Sequence, residues 1–205
     1  KLKIYKGSQV INAFGKLNLK GVNIINKEGK ITYLECDYLG VSGGWNPNIH
    51  ISCHTGVKPK WNQQILAFTP GLNNISTHLE AAGSASGKFT LNGCFADAQS
   101  KIKNILNELK VKPKKYVIPK FNRDKYNIDP FWFVEHGSQR KWVDFQNDVT
   151  IKDIEIAYDE NFRSVEHLKR YTTLGMGTDQ GKTSNVTGLA ILARLSNKSI
   201  PEVGT

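Results

Sequence analysis

The stretch FRSVEHLKRYTTLGMGTDQGKTSNVTGLAILA, residues 162–193, decides the reading of this chain. Ser164 can cap a helix that carries Val165, Leu168 and Tyr171 on one face. A glycine-rich turn follows, Gly175-Met-Gly-Thr-Asp-Gln-Gly181-Lys182-Thr183. Beyond Gly181 a third helix carries Val186, Leu189, Ala190, Ala193 and Leu195. The turn looks like a phosphate loop and fails the test. G-x-x-x-x-G-K-S/T needs glycine at position 176, which is Met176, and the loop should follow a buried strand rather than the helix-like VEHLKRYTT. An NTP hydrolase is therefore not expected. Lys182, with Thr183 and Ser184 beside it at a helix start, remains an anion site candidate.

Upstream lies WVDFQNDVTIKDI, residues 142–154, in which Thr150-x-x-Asp153 reads as an N-cap pair. Residues 139–205 are expected to be a small all-helical domain after a short extended entry. Farther back, Ile75–Ala82 reads as a strand, and Gly83, Ser84, Ser86 and Gly87 make a loop. Then Leu91, Cys94, Phe95, Ala98, Ile102, Ile105, Leu106 and Leu109 recur at helical spacing. Strand, glycine loop and helix can present backbone N–H groups to a phosphate, and they are equally an ordinary connection. Residues 1–41 alternate as strands, with Asn26 to Gly29 turning a hairpin and Tyr38–Ser42 expected as a buried strand.

From Lys101 to Lys125 nine Lys/Arg face two acids, so a net +7 of the chain's +10 sits there. Residues 113–138 are read as a solvated, Pro-containing linker, because no aromatic stacking platform accompanies the charge. Nucleic acid is not an expected partner. No run approaches ~20 apolar residues, so no spanning helix is expected. Three cysteines at irregular spacing, Cys36, Cys53 and Cys94, suit a reducing, cytoplasmic setting without a disulfide framework. His50, Cys53 and His54 lack a fourth ligand at zinc spacing, and His136 lacks a catalytic companion. No metal site or catalytic residue is expected. A start without Met and an end at PEVGT suggest a piece of a longer chain.

Together CDYLGVSGGWNP (Cys36–Pro47), AAGSASGKFTLNGCFADA (Ala81–Ala98) and the two stretches within 142–193 resemble the alpha subunit of heterotetrameric sarcosine oxidase. The resemblance implies an α/β chain: residues 1–112 as the C-terminal part of a glutathione-reductase-like nucleotide-binding domain, then the linker, then the helical domain. It implies NAD held by this subunit, with Ala82, Gly83, Thr90 and Leu91 at the last nucleotide contact. It implies FMN at the contact with a beta subunit, met by Lys169, Arg170, Thr172, Thr173, Gln180, Lys182 and Thr183. FAD and tetrahydrofolate would lie elsewhere in a complex with further small subunits. That complex oxidises sarcosine to glycine, makes hydrogen peroxide and passes on a one-carbon unit. Related subunits acting on proline, opines or another N-methyl amine are the alternative.

The helical domain also resembles a small 2Fe–2S module in which four cysteines hold the cluster. Here those positions read Asp144, Gln146, Asp179 and Ser184, and carboxylate, amide and hydroxyl groups do not replace a set of thiolates. No iron–sulfur cluster is expected.

Overall fold

The computed structural model describes residues 2–72, 79–114, 117, 119, 125–137 and 139–204. In chain order these form β1 (Gln9–Phe14), β2 (Gly21–Ile25), β3 (Ile31–Glu35), α1 (His50–Cys53), β4 (Lys60–Asn62) and β5 (Ala67–Thr69). A 3-10 turn at Gly83–Ser86 and α2 (Leu91–Glu108) follow. Then come β6 (Trp142–Asp144), β7 (Val149–Thr150), α3 (Ile151–Asp159), α4 (Val165–Thr172), α5 (Asn185–Leu195) and α6 (Ile200–Val203). The chain is of mixed α/β content. Among the described residues no helix is long and apolar enough to cross a membrane.

The chain packs as two units, the residues up to Gly43 with Phe131–Gly204, and Gly44–Pro130. The expected segments 1–112, 113–138 and 139–205 do not coincide with these units. The N-terminal sheet finds its contacts far away in sequence: the Gln139 side chain accepts from the Ala13 N–H at 3.2 Å and donates to the Ala13 carbonyl at 2.7 Å. A side-chain amide thus occupies backbone groups of β1 that an edge strand would leave open.

In the first unit β1, β2 and β3 form an antiparallel meander in the order β1-β2-β3. The hairpin turns where the sequence predicts it. The Asn26 side-chain oxygen accepts from the N–H groups of Glu28 and Lys30, and Gly29 takes φ +80°. Val22 and Ile24 point inward from the central strand. The expected buried strand Tyr38–Ser42 does not form: Tyr38 is 92% and Val41 86% exposed, and neither pairs with a neighbour. An apolar run becomes a strand only when an adjacent strand takes its N–H and C=O groups, and none does so among the described residues.

Residues 139–204 are not all helical. Trp142 pairs with Thr150 and Asp144 with Val149, so a short antiparallel hairpin of β6 and β7 leads into the helices. The turn between them uses Asp148 at φ +53°, a conformation short acidic side chains tolerate. Thr150 then starts α3 as predicted, its hydroxyl accepting from the Asp153 N–H while the Asp153 carboxylate accepts from the Thr150 N–H. Ile151, Ile154 and Ala157 recur every three residues and are buried against Leu168, Leu174 and Leu192. Helix α5 is buried along Gly188–Ala193. A Cβ at Gly188 would lie 2.4 Å from the Leu174 side chain, so glycine is needed for that approach. Thr150→Ala is expected to cost about 1 kcal/mol, because the hydroxyl that accepts from the Asp153 N–H is lost while the Thr150 N–H keeps its bond to the Asp153 carboxylate. A urea midpoint followed by circular dichroism checks it.

The second unit holds the β4–β5 hairpin, registered Trp61 to Phe68, and α2. The periodicity predicted α2 correctly, yet none of its residues is buried, and Leu91 and Ile102 are exposed. Of the expected strand Ile75–Ala82, residues 75–78 lie outside the described residues and 79–82 are not strand. Part of the basic run, including 115–116 and 120–124, also lies outside them.

Candidate functional site

The site is built where the β6–β7 turn meets the loop between α4 and α5. Asp144 ends β6 and is 2% exposed. A buried carboxylate without a cation needs several hydrogen-bond donors, and Asp144 has four. Its oxygens accept from the N–H groups of Gln146 (2.9 Å), Asn147 (3.4 Å) and Gly175 (2.7 Å) and from the Ser184 hydroxyl (3.5 Å). Ser184 is fully buried. Beside it, the Gln146 side-chain oxygen accepts from the Thr178 hydroxyl at 2.9 Å and the Asp179 N–H at 3.3 Å. The Asp179 carboxylate accepts from the Gly181 N–H, the Thr183 N–H and the Thr183 hydroxyl, the last at 2.7 Å. The four positions that would carry cysteines in a cluster-binding module, Asp144, Gln146, Asp179 and Ser184, are thus joined by polar contacts.

The loop itself is tightly wound. Gly175 and Gly181 have φ +68° and +72°, and a Cβ on either would fall 2.1–2.2 Å from the Asn185 side-chain oxygen. That oxygen is buried without a hydrogen-bond partner among the described residues, while the Asn185 amide nitrogen donates to the Gln180 carbonyl at 3.4 Å. Sequence reasoning gave Asp144 no role beyond a replaced cysteine and missed Asn185. The signal for Asp144 was a carboxylate beside the apolar Val143 in a short strand pattern.

The residues expected to meet a flavin phosphate divide by what they do. Lys169 is half-buried and Arg170 exposed on the last turn of α4, where cations suit the helix dipole. Neither makes an ion pair among the described residues. Lys182 is exposed on the loop and close enough to Asp179 to favour its charged form. The hydroxyls are engaged within the chain. Thr172 donates to the Leu168 carbonyl at 2.8 Å, Thr173 to the Thr172 carbonyl at 2.6 Å, and Thr183 to Asp179. Thr173 and Gln180 are left-handed, at φ +60° and +53°, and turn the loop at either end. The cations therefore remain on offer to an anion, while the threonines hold the loop.

In the second unit the residues expected at the nucleotide contact lie on one short path. Ala82 is extended, Gly83 opens the 3-10 turn, and Thr90 caps α2 by accepting from the Gly93 N–H at 3.1 Å. Leu91 begins the helix and is exposed. The Gly83 N–H does not face outward, since it donates to the Asp97 carboxylate at 2.9 Å, as does the Ser86 hydroxyl at 2.6 Å. Lys101, one turn on, reaches the Ala81 carbonyl and pairs with Glu80 at 3.4 Å. Each glycine loop thus has its inward N–H groups taken by a carboxylate of the same unit.

Asp97 and Asp179 titrate low. Burial works against the charge on Asp97, but the Ser86 hydroxyl, the Gly83 N–H, Lys101 and Lys88 outweigh it. Hydrogen bonds from Thr183 and the Gly181 N–H hold Asp179 down, against some desolvation. A carboxylate with a depressed folded pKa stabilises above its unfolded pKa, and that contribution is lost as pH falls through the folded value. Below about pH 4 both loops are therefore expected to loosen. Faster amide exchange at Gly83 and Gly181 than the intrinsic acid dependence explains would be the sign. Among the described residues no three His, Cys, Asp or Glu gather as for a metal ion.

Residues 138–205 match the family model described as the Sarcosine oxidase A3 domain. The chain is 36% identical over 184 residues to a protein named sarcosine oxidase subunit alpha from Rhizobium meliloti (strain 1021), covering 88% of this chain. It is 29% identical over 224 residues to one of the same name from Corynebacterium sp. (strain P-1), covering 100% of this chain. The shares of those two proteins covered are 18% and 22%, so the chain spans about a fifth of the length of the curated relatives it matches. Among solved structures it is similar to L-proline dehydrogenase from P. horikoshii, with a TM-score of 0.56 and 20% identity over 96% of this chain and 40% of that one. At that identity the likeness is one of fold.

Proposed function

We propose that this chain, which belongs with the alpha subunits of sarcosine oxidase, supplies a flavin-phosphate contact and a dinucleotide contact rather than a catalytic group. The observation that carries the reading is a group of cations at a fixed loop: Lys169 and Arg170 on the last turn of α4 and Lys182 on the loop that follows make no ion pair among the described residues, and internal carboxylates hold the loop's shape. Such a set suits a phosphate monoester, with Arg offering a planar fork and Lys a point charge. FMN is the expected group. When bound, it accepts the electrons of amine oxidation. The chain's part is to orient its phosphate end with Arg170, Lys182 and Lys169. The full assembly in this proposal includes a beta subunit carrying FAD and FMN, with further small subunits. It oxidises sarcosine to glycine with hydrogen peroxide formation and one-carbon transfer to tetrahydrofolate.

Ala82, Gly83, Thr90 and Leu91 are proposed as the last contact of NAD within the glutathione-reductase-like part. The Asp97 contacts reshape that proposal. Because the Gly83 N–H is engaged, contact at Ala82 and Gly83 is by close backbone approach, and the helix start at Thr90 and Leu91 faces the more polar part of the ligand. At positions 144, 146, 179 and 184 the donors are oxygen and amide groups, which supports a domain without an iron–sulfur cluster.

An FMN titration tests the reading. Arg170→Ala and Lys182→Ala are each expected to weaken FMN about tenfold, and the double variant about a hundredfold, while riboflavin, lacking the phosphate, is unaffected. Equal affinity of wild type and double variant would sink the FMN contact. The fold likeness to a proline dehydrogenase supports one second reading, an alpha subunit of a related amine dehydrogenase. Turnover of sarcosine against L-proline by the assembled complex separates the two.

A further inference from the structure

The loop from Leu174 to Ser184 is an improbable shape for a free chain. Gly175, Gln180 and Gly181 are left-handed, as is Thr173 just before it, and for the non-glycine residues that conformation is costly. Regular elements hold its ends, through the buried Leu174 and Ser184 and through Asn185 at the start of α5, which donates to the Gln180 carbonyl. Its middle is held by the turn of the β6–β7 hairpin. Asp144 takes the Gly175 N–H at the loop's start and the Ser184 hydroxyl at its end. Gln146 takes the Thr178 hydroxyl and the Asp179 N–H at its centre. Gln146 lies hard against the loop, since a Cβ on Gly177 would be 2.3 Å from its side-chain oxygen.

We infer that Asp144 and Gln146 are positioning residues that pre-set the loop carrying Lys182, so that an anionic ligand meets it already ordered. This rests on the FMN-phosphate reading above. Preorganisation raises affinity by sparing the ligand the entropy of ordering a loop, without the positioning groups touching it. Gln146 makes the sharper test, because it is exposed and its loss removes tethers to the loop without opening the core.

The experiment uses the alpha subunit that carries this chain, assembled with its partner subunits, with Gln146→Ala, Asp144→Asn or Lys182→Ala, and reads FMN affinity, amide exchange and the urea midpoint together. Gln146→Ala is expected to speed exchange at Asp179 about tenfold and weaken FMN about fivefold, with the urea midpoint unchanged. Asp144→Asn places an amide donor among N–H donors and is expected to weaken FMN further. If Asp144→Asn does not fold, Gln146→Ala decides alone. FMN binding that depends on Lys182 but is indifferent to Gln146→Ala would overturn the positioning role and leave the phosphate contact standing. FMN binding that is absent, or indifferent to Lys182→Ala, would overturn the phosphate contact and this inference with it.

Discussion

Asp144→Ala is expected to destabilise the unit formed by the residues up to Gly43 and Phe131–Gly204 by about 3–5 kcal/mol. The physical reason lies in what the substitution leaves behind. The Gly175 N–H and the Ser184 hydroxyl point into space that is closed to water, and the Gln146 N–H loses its acceptor. Each buried donor without a partner costs about 1–3 kcal/mol, more than an average hydrogen bond contributes. Urea denaturation followed by circular dichroism measures the loss. A change below about 1 kcal/mol would mean that water or a neighbouring group replaces the carboxylate. Asn in place of Asp keeps the shape and an acceptor oxygen, so a smaller loss is expected from it.

Leu192→Ala is expected to cost about 2–5 kcal/mol in the same measurement. Leu192 is 0% exposed and packs among Ile154, Leu168 and Leu174, so its removal leaves a cavity lined by close-packed apolar groups. Leu174 also begins the loop, and loosening it is expected to lower FMN affinity as well. Leu91→Ala in the other unit should stay within about 0.5 kcal/mol, because Leu91 is exposed at the start of α2. Comparable losses at Leu91 and Leu192 would contradict the burial on which this contrast rests.

Much of the local structure was legible from residue order. Thr150 and Asp153 marked the start of α3, Ser164 the start of α4, and the apolar spacing after Gly181 announced α5. Asn26 to Gly29 turned its hairpin because Asn at the first position and Gly at the last make that turn locally favourable. The resemblance to sarcosine oxidase alpha subunits, carried by residues such as 142–193, agrees with the relatives found. Where the reading went astray, the deciding partner was remote. Tyr38–Ser42 has a strand's composition and no neighbouring strand among the described residues, and α2 has an apolar stripe with no buried residue.

The candidate site shows the same division. Lys169, Arg170 and Lys182, proposed here as the phosphate contact, could be nominated from sequence because a cation's chemistry travels with the residue. The roles of Thr172, Thr173 and Thr183 could not, because a hydroxyl serves a ligand or its own chain according to what lies within 3 Å, and here the chain claims it. By itself, the sequence determined the caps, turns and helical periods, all interactions that close within about four residues. Only the tertiary structure decided that the N-terminal sheet packs with residues beyond Phe131, that Asp144 ties together groups 31 and 40 residues away, and that Asp97 fills the Gly83 loop. Such contacts depend on how distant segments meet in space, and no local pattern encodes that meeting.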